Sequence, residues 1–277
     1  MEITWHPAPG KLNLFLHVLA RREEGEHAGY HELQTAFRLI ERADRVGLAA
    51  REDGEIRFTG IFEQENLCVR AARLLKAETR TSLGAELRLE KVLPIGGGLG
   101  GGSSDAATVL VALNRLWGCR LSREQLMEIG LRLGADVPFF VYGRNALGEG
   151  IGERLQPLDL PAAWYLVLAP QVSVSTKETF ASALTGRSKR LKIPPFFPGQ
   201  GQNDLEAVVT ARYPEVAAQL AWLKQRCPQA RMTGSGACVF AEFETRAQAD
   251  AVQSQLPGGT GGFVAQGLER HPLHDWV

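Results

Sequence analysis

Six glycines stand within seven positions, Gly96-Gly97-Gly98-Leu99-Gly100-Gly101-Gly102, and run straight into Ser103-Ser104-Asp105 and an apolar helical pattern. Glycine loses more backbone freedom on folding than any other residue, so a plain connector would not gather so many. Such a run presents backbone N–H groups with no Cβ in the way. A helix starting beside it turns its positive dipole end to the same place, and the chemistry this favours is the gripping of phosphate. Other chemically able residues lie apart from it: Lys11 after Pro7-Ala8-Pro9-Gly10, Asp136 between Gly134 and Val137-Pro138-Phe139-Phe140, and a second glycine turn, Thr233-Gly234-Ser235-Gly236. A positioned carboxylate can take a hydroxyl proton, although on the residues alone Asp136 reads more simply as a cap or turn aspartate. Lys11 on the same footing is an edge lysine on a solvent face, and Asn13 a polar residue at a strand edge.

The elements that must position these residues are partly visible. Leu12, Leu14, Leu16 and Val18 alternate with Asn13, Phe15 and His17, which predicts a strand after a turn at 7–11. Residues 21–31 read as an exposed loop, 33–46 as an apolar stretch of ambiguous type, and 46–50 as a strand. Helical spacing over 66–76 and clean alternation over 85–92 predict a helix and a half-wet strand. The glycine run follows, then a helix with Ser103 or Ser104 as N-cap and Val109, Leu110, Leu113, Leu116 and Trp117 inward. Ser122 to Gln125 has the form of a capping box, for a helix ending near Gly134. After Gly150 the pattern restarts: a strand at 164–168, a mobile surface loop at 185–202, a cap at Asn203-Asp204, and Pro214 in a helical first turn. A strand at 237–243, a helix at 246–256 and a last strand at 263–266 complete it. The fold class is α+β, with mixed or antiparallel sheets and helices packed on one face. Two domains are expected, 1–150 and 151–277, with the last few residues able to return to the first.

Composition bounds the function. Of 277 residues, 44% are hydrophobic and 22% charged, and 31 Lys+Arg balance 31 Asp+Glu. Nothing global favours nucleic acid or an anionic membrane. Cys68, Cys119, Cys227 and Cys238 form no C-x-x-C pair and read as reduced thiols of a cytoplasmic protein. No signal-peptide pattern and no membrane-length apolar run is seen. The pair His271 and His274 lacks companions at ligand spacing and reads as surface.

Gly96-x-Gly98-x-x-Gly101 matches the dinucleotide fingerprint, but the strand before it carries Glu86, Arg88, Glu90 and Lys91 and is not the apolar parallel strand that fingerprint needs. A nicotinamide-dependent oxidoreductase is thereby disfavoured. No P-loop and no protein-kinase signature occurs. Three segments instead resemble, in order, the motifs of the galactokinase, homoserine kinase, mevalonate kinase and phosphomevalonate kinase superfamily: 7–14, 94–107 and 232–240. Segments 29–35, 134–140 and 203–206 narrow the resemblance to the branch acting on a cytidine-diphosphate-linked methylerythritol in non-mevalonate isoprenoid synthesis. The chain departs from the branch at Ala28, where aspartate is usual, and has Asp105 where asparagine is also common.

The resemblance implies a two-domain kinase with its site in the cleft, transferring the ATP γ-phosphoryl group to the 2-hydroxyl of the methylerythritol unit. It implies Asp136 as base and Lys11 as its charge-neutralising partner. It implies ATP contacts at Asn66, Pro94, Gly96, Gly97, Gly98, Leu99, Gly100, Gly101, Gly102, Ser103 and Ser104. For the substrate it implies Asn13, Tyr30, His31, Phe180, Thr233, Gly234, Ser235 and Gly236, with Tyr30 and Phe180 as a ring sandwich for the cytosine. Phe180 is equally a core phenylalanine, and 233–236 equally a tight turn. Mg²⁺ should come with ATP, with no metal site built by protein ligands. Partners are limited to the small-molecule substrate, with no nucleic acid or membrane, and the assembly to a monomer or weak homodimer. Another kinase of the superfamily, or a non-catalytic nucleotide-binding protein, are the alternatives.

Overall fold

The structure is a computed structural model that describes residues 2–24, 28–60, 66–183 and 201–277. It opens with a hairpin of two long strands, β1 (Thr4–Arg21) and β2 (His31–Arg51). β3 (Ile56–Thr59), α1 (Leu67–Thr79) and β4 (Gly84–Glu90) follow, then α2 (Gly101–Leu116), α3 (Arg123–Leu131) and α4 (Val137–Tyr142). Next come β5 (Ala146–Gly150), β6 (Arg154–Pro157), β7 (Trp164–Leu168), α5 (Thr176–Ala183), α6 (Glu206–Arg212) and α7 (Pro214–Arg226). The described chain ends with β8 (Arg231–Met232), β9 (Val239–Phe243), α8 (Arg246–Gln253), β10 (Gly262–Leu268) and a 3-10 turn at His274–Trp276.

β2 is the spine. Its one edge carries β1, and its other edge is shared end to end by β4, β10 and β5. From β10 the sheet continues through β7 and β9 to β8. All of these pairings are antiparallel except β3 with β4, so the sheet is mixed. Successive side chains of a strand point to opposite faces, and this sorts the apolar residues into three cores. Phe37 and Leu39 of β2 join α1 to α4 in one, while Leu166, Leu168, Val239 and Ala241 join α6 and α7 in another. The alternate residues, Leu12, Leu14, Ala36, Ile40, Tyr165, Val167 and Phe240, share a third. The two halves of the sheet therefore meet through their helix-free faces, with helices outside. Among the described residues no helix is long and apolar enough to cross a membrane.

Several expectations are corrected. The turn at 7–11 is strand: β1 runs through it, with register irregularities between Pro9 and Lys11 and again further along. Prolines are tolerated in a strand where the missing N–H would face away from a partner, and here β2 is the partner strand. The ambiguous stretch 33–46 is the middle of β2, buried on both faces over 35–40 and exposed at Glu41, Arg42 and Arg45. Neither Ser103 nor Ser104 caps α2; Gly100 does, at φ 69, a left-handed conformation that favours glycine. Every residue of α2 from Ser104 to Asn114 is buried, so this helix is enclosed on all sides where one inward face was expected. His271 is buried, not superficial: its Nδ1 accepts the Leu273 N–H, and burial foremost pushes its pKa down to about 3. The loop expected at 185–202 lies, apart from 201 and 202, outside the described residues.

Where β2 passes from β5 to β10, its Leu39 N–H would face no strand carbonyl. Asn145 fills that gap: its Oδ1 accepts the Leu39 N–H at 2.9 Å and its Nδ2 donates to the Leu268 carbonyl at 2.9 Å. Removing it leaves buried backbone groups unpaired, each worth roughly 1–3 kcal/mol. Asn145→Ala is expected to destabilise the protein by about 2–4 kcal/mol in urea unfolding, with far-ultraviolet circular dichroism of the folded state unchanged.

Candidate active site

A cavity of about 1150 Å³ opens along the junction of the two halves. Its lining includes the glycine run from Pro94 to Ser103, Lys11, Asn13, Asp136, the pair Tyr30 and His31, Phe180, and Gly234 with Ser235. Three stretches far apart in sequence, the motifs at 7–14, 94–107 and 232–240, thus reach one space.

Lys11 is brought there by β1. Its backbone N–H donates to the Leu99 carbonyl at 2.9 Å, which ties the strand to the glycine run. The side chain is 3% exposed, contrary to the solvent-facing lysine that the residues alone suggest. An ammonium so buried needs acceptors. Its Nζ donates to Asn13 Oδ1 at 2.5 Å and lies 3.5 Å from Asp136 Oδ2. Asp136 occupies the N-cap position of α4, yet its side chain makes no capping bond. At 35% exposure the carboxylate keeps one side open toward the cavity. Asn13 is itself buried: its Nδ2 donates to Thr35 Oγ1 at 2.8 Å and its backbone N–H to Thr233 Oγ1 at 2.9 Å.

The glycine run touches the third motif directly. A Cβ on Gly98, where φ is +77, would strike the Thr233 carbonyl oxygen and lie 3.0 Å from that of Gly236. A Cβ on Gly97 would lie 2.6 Å from Cys238 Sγ, and the Gly97 carbonyl accepts the Cys238 N–H at 3.1 Å. Bare backbone is needed here for the close approach of two turns as well as for any ligand. Asn203 holds the far turn, donating from Nδ2 to the Met232 and Gly234 carbonyls at 2.9 and 2.8 Å. Asn203 was expected only as a helix cap.

The expected site residues do not all reach the cavity. Ser103 lines it, whereas Ser104 is fully buried and its hydroxyl donates to the Pro9 carbonyl at 2.7 Å. Ser104 therefore secures α2 to β1 and, unlike Ser103, is not part of the cavity wall where its ATP contact was expected. Thr233 is also fully buried and acts toward Asn13; Gly236 supports the turn by donating to the Thr233 carbonyl. Asn66 lines the cavity and caps α1, accepting the Cys68 N–H. At the other end the Phe180 ring lies against His31, centroids 5.4 Å apart at 19°, and Tyr30 is 54% exposed. Burial foremost, then Arg21, lowers the His31 pKa, and its buried Nε2 has no hydrogen-bond partner among the described residues.

Sequence reasoning missed Lys91, Asp44 and Thr35. Lys91 Nζ lies beside Gly101, at the far end of the glycine run, and pairs with Asp44 of β2 and with Asp105 of α2, the latter at 2.8 Å. Asp44 Oδ1 also accepts the N–H groups of Val92 and Leu93 at 2.5 and 2.8 Å. Burial foremost, with the Asp44 charge adding and Lys91 opposing, pushes the Asp105 pKa up to about 7. No local signal joins Asp44, Lys91 and Asp105, because they come from β2, the residue after β4, and α2. Among the described residues no three His, Cys, Asp or Glu side chains converge as a metal site.

A bare glycine run beside a buried lysine and a half-open aspartate, all in one cavity, is the arrangement of a small-molecule kinase. The GHMP kinases N terminal domain matches residues 66–144 and the GHMP kinases C terminal domain residues 197–259. The chain is 56% identical over 278 residues to the 4-diphosphocytidyl-2-C-methyl-D-erythritol kinase of Nitrosospira multiformis, covering 98% of this chain and 93% of that protein. It is also 56% identical over 276 residues to the enzyme of that name from Thiobacillus denitrificans, covering 98% of each. A crystal structure of 4-(cytidine 5'-diphospho)-2C-methyl-D-erythritol kinase superposes with a TM-score of 0.82 at 33% identity, over 95% of this chain and 99% of that one. Homoserine kinase from Cytophaga hutchinsonii shares the fold at a TM-score of 0.71 and 16% identity, over 98% and 96%. The chain belongs to the GHMP kinases, and within them to the family of 4-diphosphocytidyl-2-C-methyl-D-erythritol kinases.

Two outcomes follow from the geometry. With a folded pKa of about 7 against about 3.9 unfolded, Asp105 holds a proton in the folded state that the unfolded chain has released. Its contribution to stability is thus greatest at low pH and is lost as pH rises from about 4 toward 7. Asp105→Asn should flatten that part of the profile in urea unfolding between pH 4 and 8; an unaltered slope would place the proton elsewhere. Gly98→Val should weaken ATP binding roughly tenfold or more, through left-handed strain and collision with the Thr233 carbonyl, as read by titration calorimetry.

Proposed function

We propose that this kinase transfers the γ-phosphoryl group of ATP to the 2-hydroxyl of 4-diphosphocytidyl-2-C-methyl-D-erythritol, in non-mevalonate isoprenoid synthesis. The observation that carries the reading is the Lys11–Asp136 pair at 3.5 Å, in the same cavity as the glycine run. Phosphoryl transfer asks a protein mainly for positioning and for charge stabilisation. In this reading the glycine run and the N-terminus of α2 hold the triphosphate. The Asp136 carboxylate takes the proton of the substrate hydroxyl, the hydroxyl oxygen forms its bond to the γ-phosphorus, and ADP leaves with the electrons of the broken bond. Lys11 offsets negative charge as the phosphoryl group passes.

The acceptor end is read from Tyr30, His31 and Phe180. Their flat rings suit a pyrimidine, and the unpartnered His31 Nε2 offers a hydrogen bond to a base edge. Gly234 and Ser235 lie between that end and the Lys11–Asp136 pair, where the substrate diphosphate would pass. Mg²⁺ would neutralise phosphate charge when bound with ATP, and the Ser103 hydroxyl and the open side of Asp136 fit an ion held chiefly by phosphates. Residues 1–150 would then serve mostly the nucleotide and 151–277 mostly the acceptor. The four cysteines are free thiols, which suits work in the cytoplasm.

Asp136→Asn is expected to lower the turnover rate by at least ~100-fold while ATP affinity is nearly kept. Near-normal turnover would exclude Asp136 as the base. Transfer of label from ATP should be efficient with the cytidylylated alcohol and poor with uncytidylylated methylerythritol phosphate. Equal efficiency on the two would remove the cytidine from the substrate assignment.

A further inference from the structure

Lys11 and Asp136 touch through one ammonium, and the direction of that ammonium is not set by the pair alone. Lys11 is a flexible side chain with donors only. What points its Nζ is Asn13 Oδ1, at 2.5 Å. An asparagine amide is nearly symmetric in shape but opposite in polarity at its two ends. Turned over, it would present an NH₂ group to the ammonium, donor against donor. Something must forbid that turn.

Thr35 of β2 supplies it. Thr35 is fully buried, and its Oγ1 lies 2.5 Å from the Phe15 carbonyl oxygen and 2.8 Å from Asn13 Nδ2. The Phe15 carbonyl can only accept, so the single Thr35 hydroxyl proton is given to it. The Thr35 oxygen is left with lone pairs only, and it can face nothing but a donor. The Asn13 amide must therefore put its NH₂ toward Thr35 and its Oδ1 toward Lys11. The polarity of one backbone carbonyl is passed through a hydroxyl and an amide to the ammonium beside Asp136. The second fixture of Asn13, its backbone N–H on Thr233 Oγ1 at 2.9 Å, holds the strand but leaves the side-chain amide free to turn.

We propose that Thr35 is a positioning residue of the phosphoryl transfer, acting through Asn13 on Lys11. The inference rests on the reading of Lys11 and Asp136 as the reacting pair. It separates the hydroxyl of Thr35, which carries the effect, from its methyl group, which only fills space. It also separates turnover from binding, because Thr35, although it lies in the cavity wall, is fully buried and its hydroxyl is engaged by Phe15 and Asn13.

The test is steady-state kinetics on Thr35→Val, which keeps the shape and loses the oxygen, and Thr35→Ser, which keeps the oxygen and loses the methyl. Thr35→Val is expected to lower kcat by roughly tenfold or more, as misplacement of a reacting group does, with KM for ATP and for the acceptor within about threefold. Thr35→Ser is expected to stay within about threefold of the parent in kcat. Thermal melting establishes that each variant is folded, and Thr35→Ala serves in place of valine if that variant does not fold. A folded valine or alanine variant with parental kcat overturns the proposal, as does a serine variant that is equally slow. A raised KM with unchanged kcat also overturns it. Lys11→Met and Asp136→Asn are run beside them: if these two retain turnover, the reading of the site itself fails, whereas if they are inactive and Thr35→Val is not, only the role of Thr35 falls.

Discussion

A buried positive charge is the constraint around which this molecule is organised. The Lys11 ammonium lies on a strand enclosed by the glycine run, α4 and β2, and a charge so placed is tolerated only where acceptors surround it. Each acceptor comes from a different element: Asn13 from β1 itself and Asp136 from the start of α4. The Lys11 backbone N–H adds a bond to Leu99. Displacing Asn13 or Asp136 would leave the ammonium short of a partner. The chemistry of the site and the packing around it are in this sense one set of contacts. Asp136 is the member with an open side, and that opening is where a substrate hydroxyl can enter the cluster.

The long hairpin of β1 and β2 is what lets both halves contribute. β2 carries residues of the first core on one face and of the shared core on the other, while the far end of β1, at Leu16 and Val18, packs into the core of the second half. The cavity follows the seam. At its middle the glycine run and the turn at 232–236 press backbone on backbone, and a single Cβ at Gly98 would part them. The lack of side chains at Gly97 and Gly98 thus has a cause within the fold itself, the close approach of the neighbouring turn.

Local patterns made much of this legible in advance. The α1 spacing, the Ser122–Gln125 capping box and the alternation of β4 each lie within one element, and each is found in place. The glycine run, expected as a phosphate seat, is found in the wall of the cavity. What failed depended on distant partners. A lysine in a strand reads as exposed until Asp136, far away in sequence, is known to face it. Pro7 to Gly10 reads as a turn until β2 is known to lie alongside. Ser103 and Ser104 read as caps because serine prefers that position, whereas the left-handed Gly100 already closes the helix and frees Ser104 to hold Pro9. Thr35 and Lys91 showed no site role in the sequence: each is held by two partners on other elements.

A glycine run has a difficulty of its own, for it lacks the side chains by which a loop is ordinarily packed, and its backbone entropy favours disorder. It must be held from its two ends. Asp44, Lys91 and Asp105 do this by charge. Asp44 accepts two backbone N–H groups where β4 gives way to the loop, and Lys91 joins that same carboxylate to Asp105, in α2 just beyond the loop. Two buried carboxylates on one ammonium are not an economical source of stability, and the raised Asp105 pKa reports the burial that opposes its charge. An apolar cluster could anchor the strand and the helix as firmly. It could not accept the Val92 and Leu93 N–H groups, which would then be left unpaired where the backbone turns into the loop. The ionic anchor therefore satisfies the polar backbone at the loop's root while fixing the distance between its ends, and the intervening glycines can be left bare.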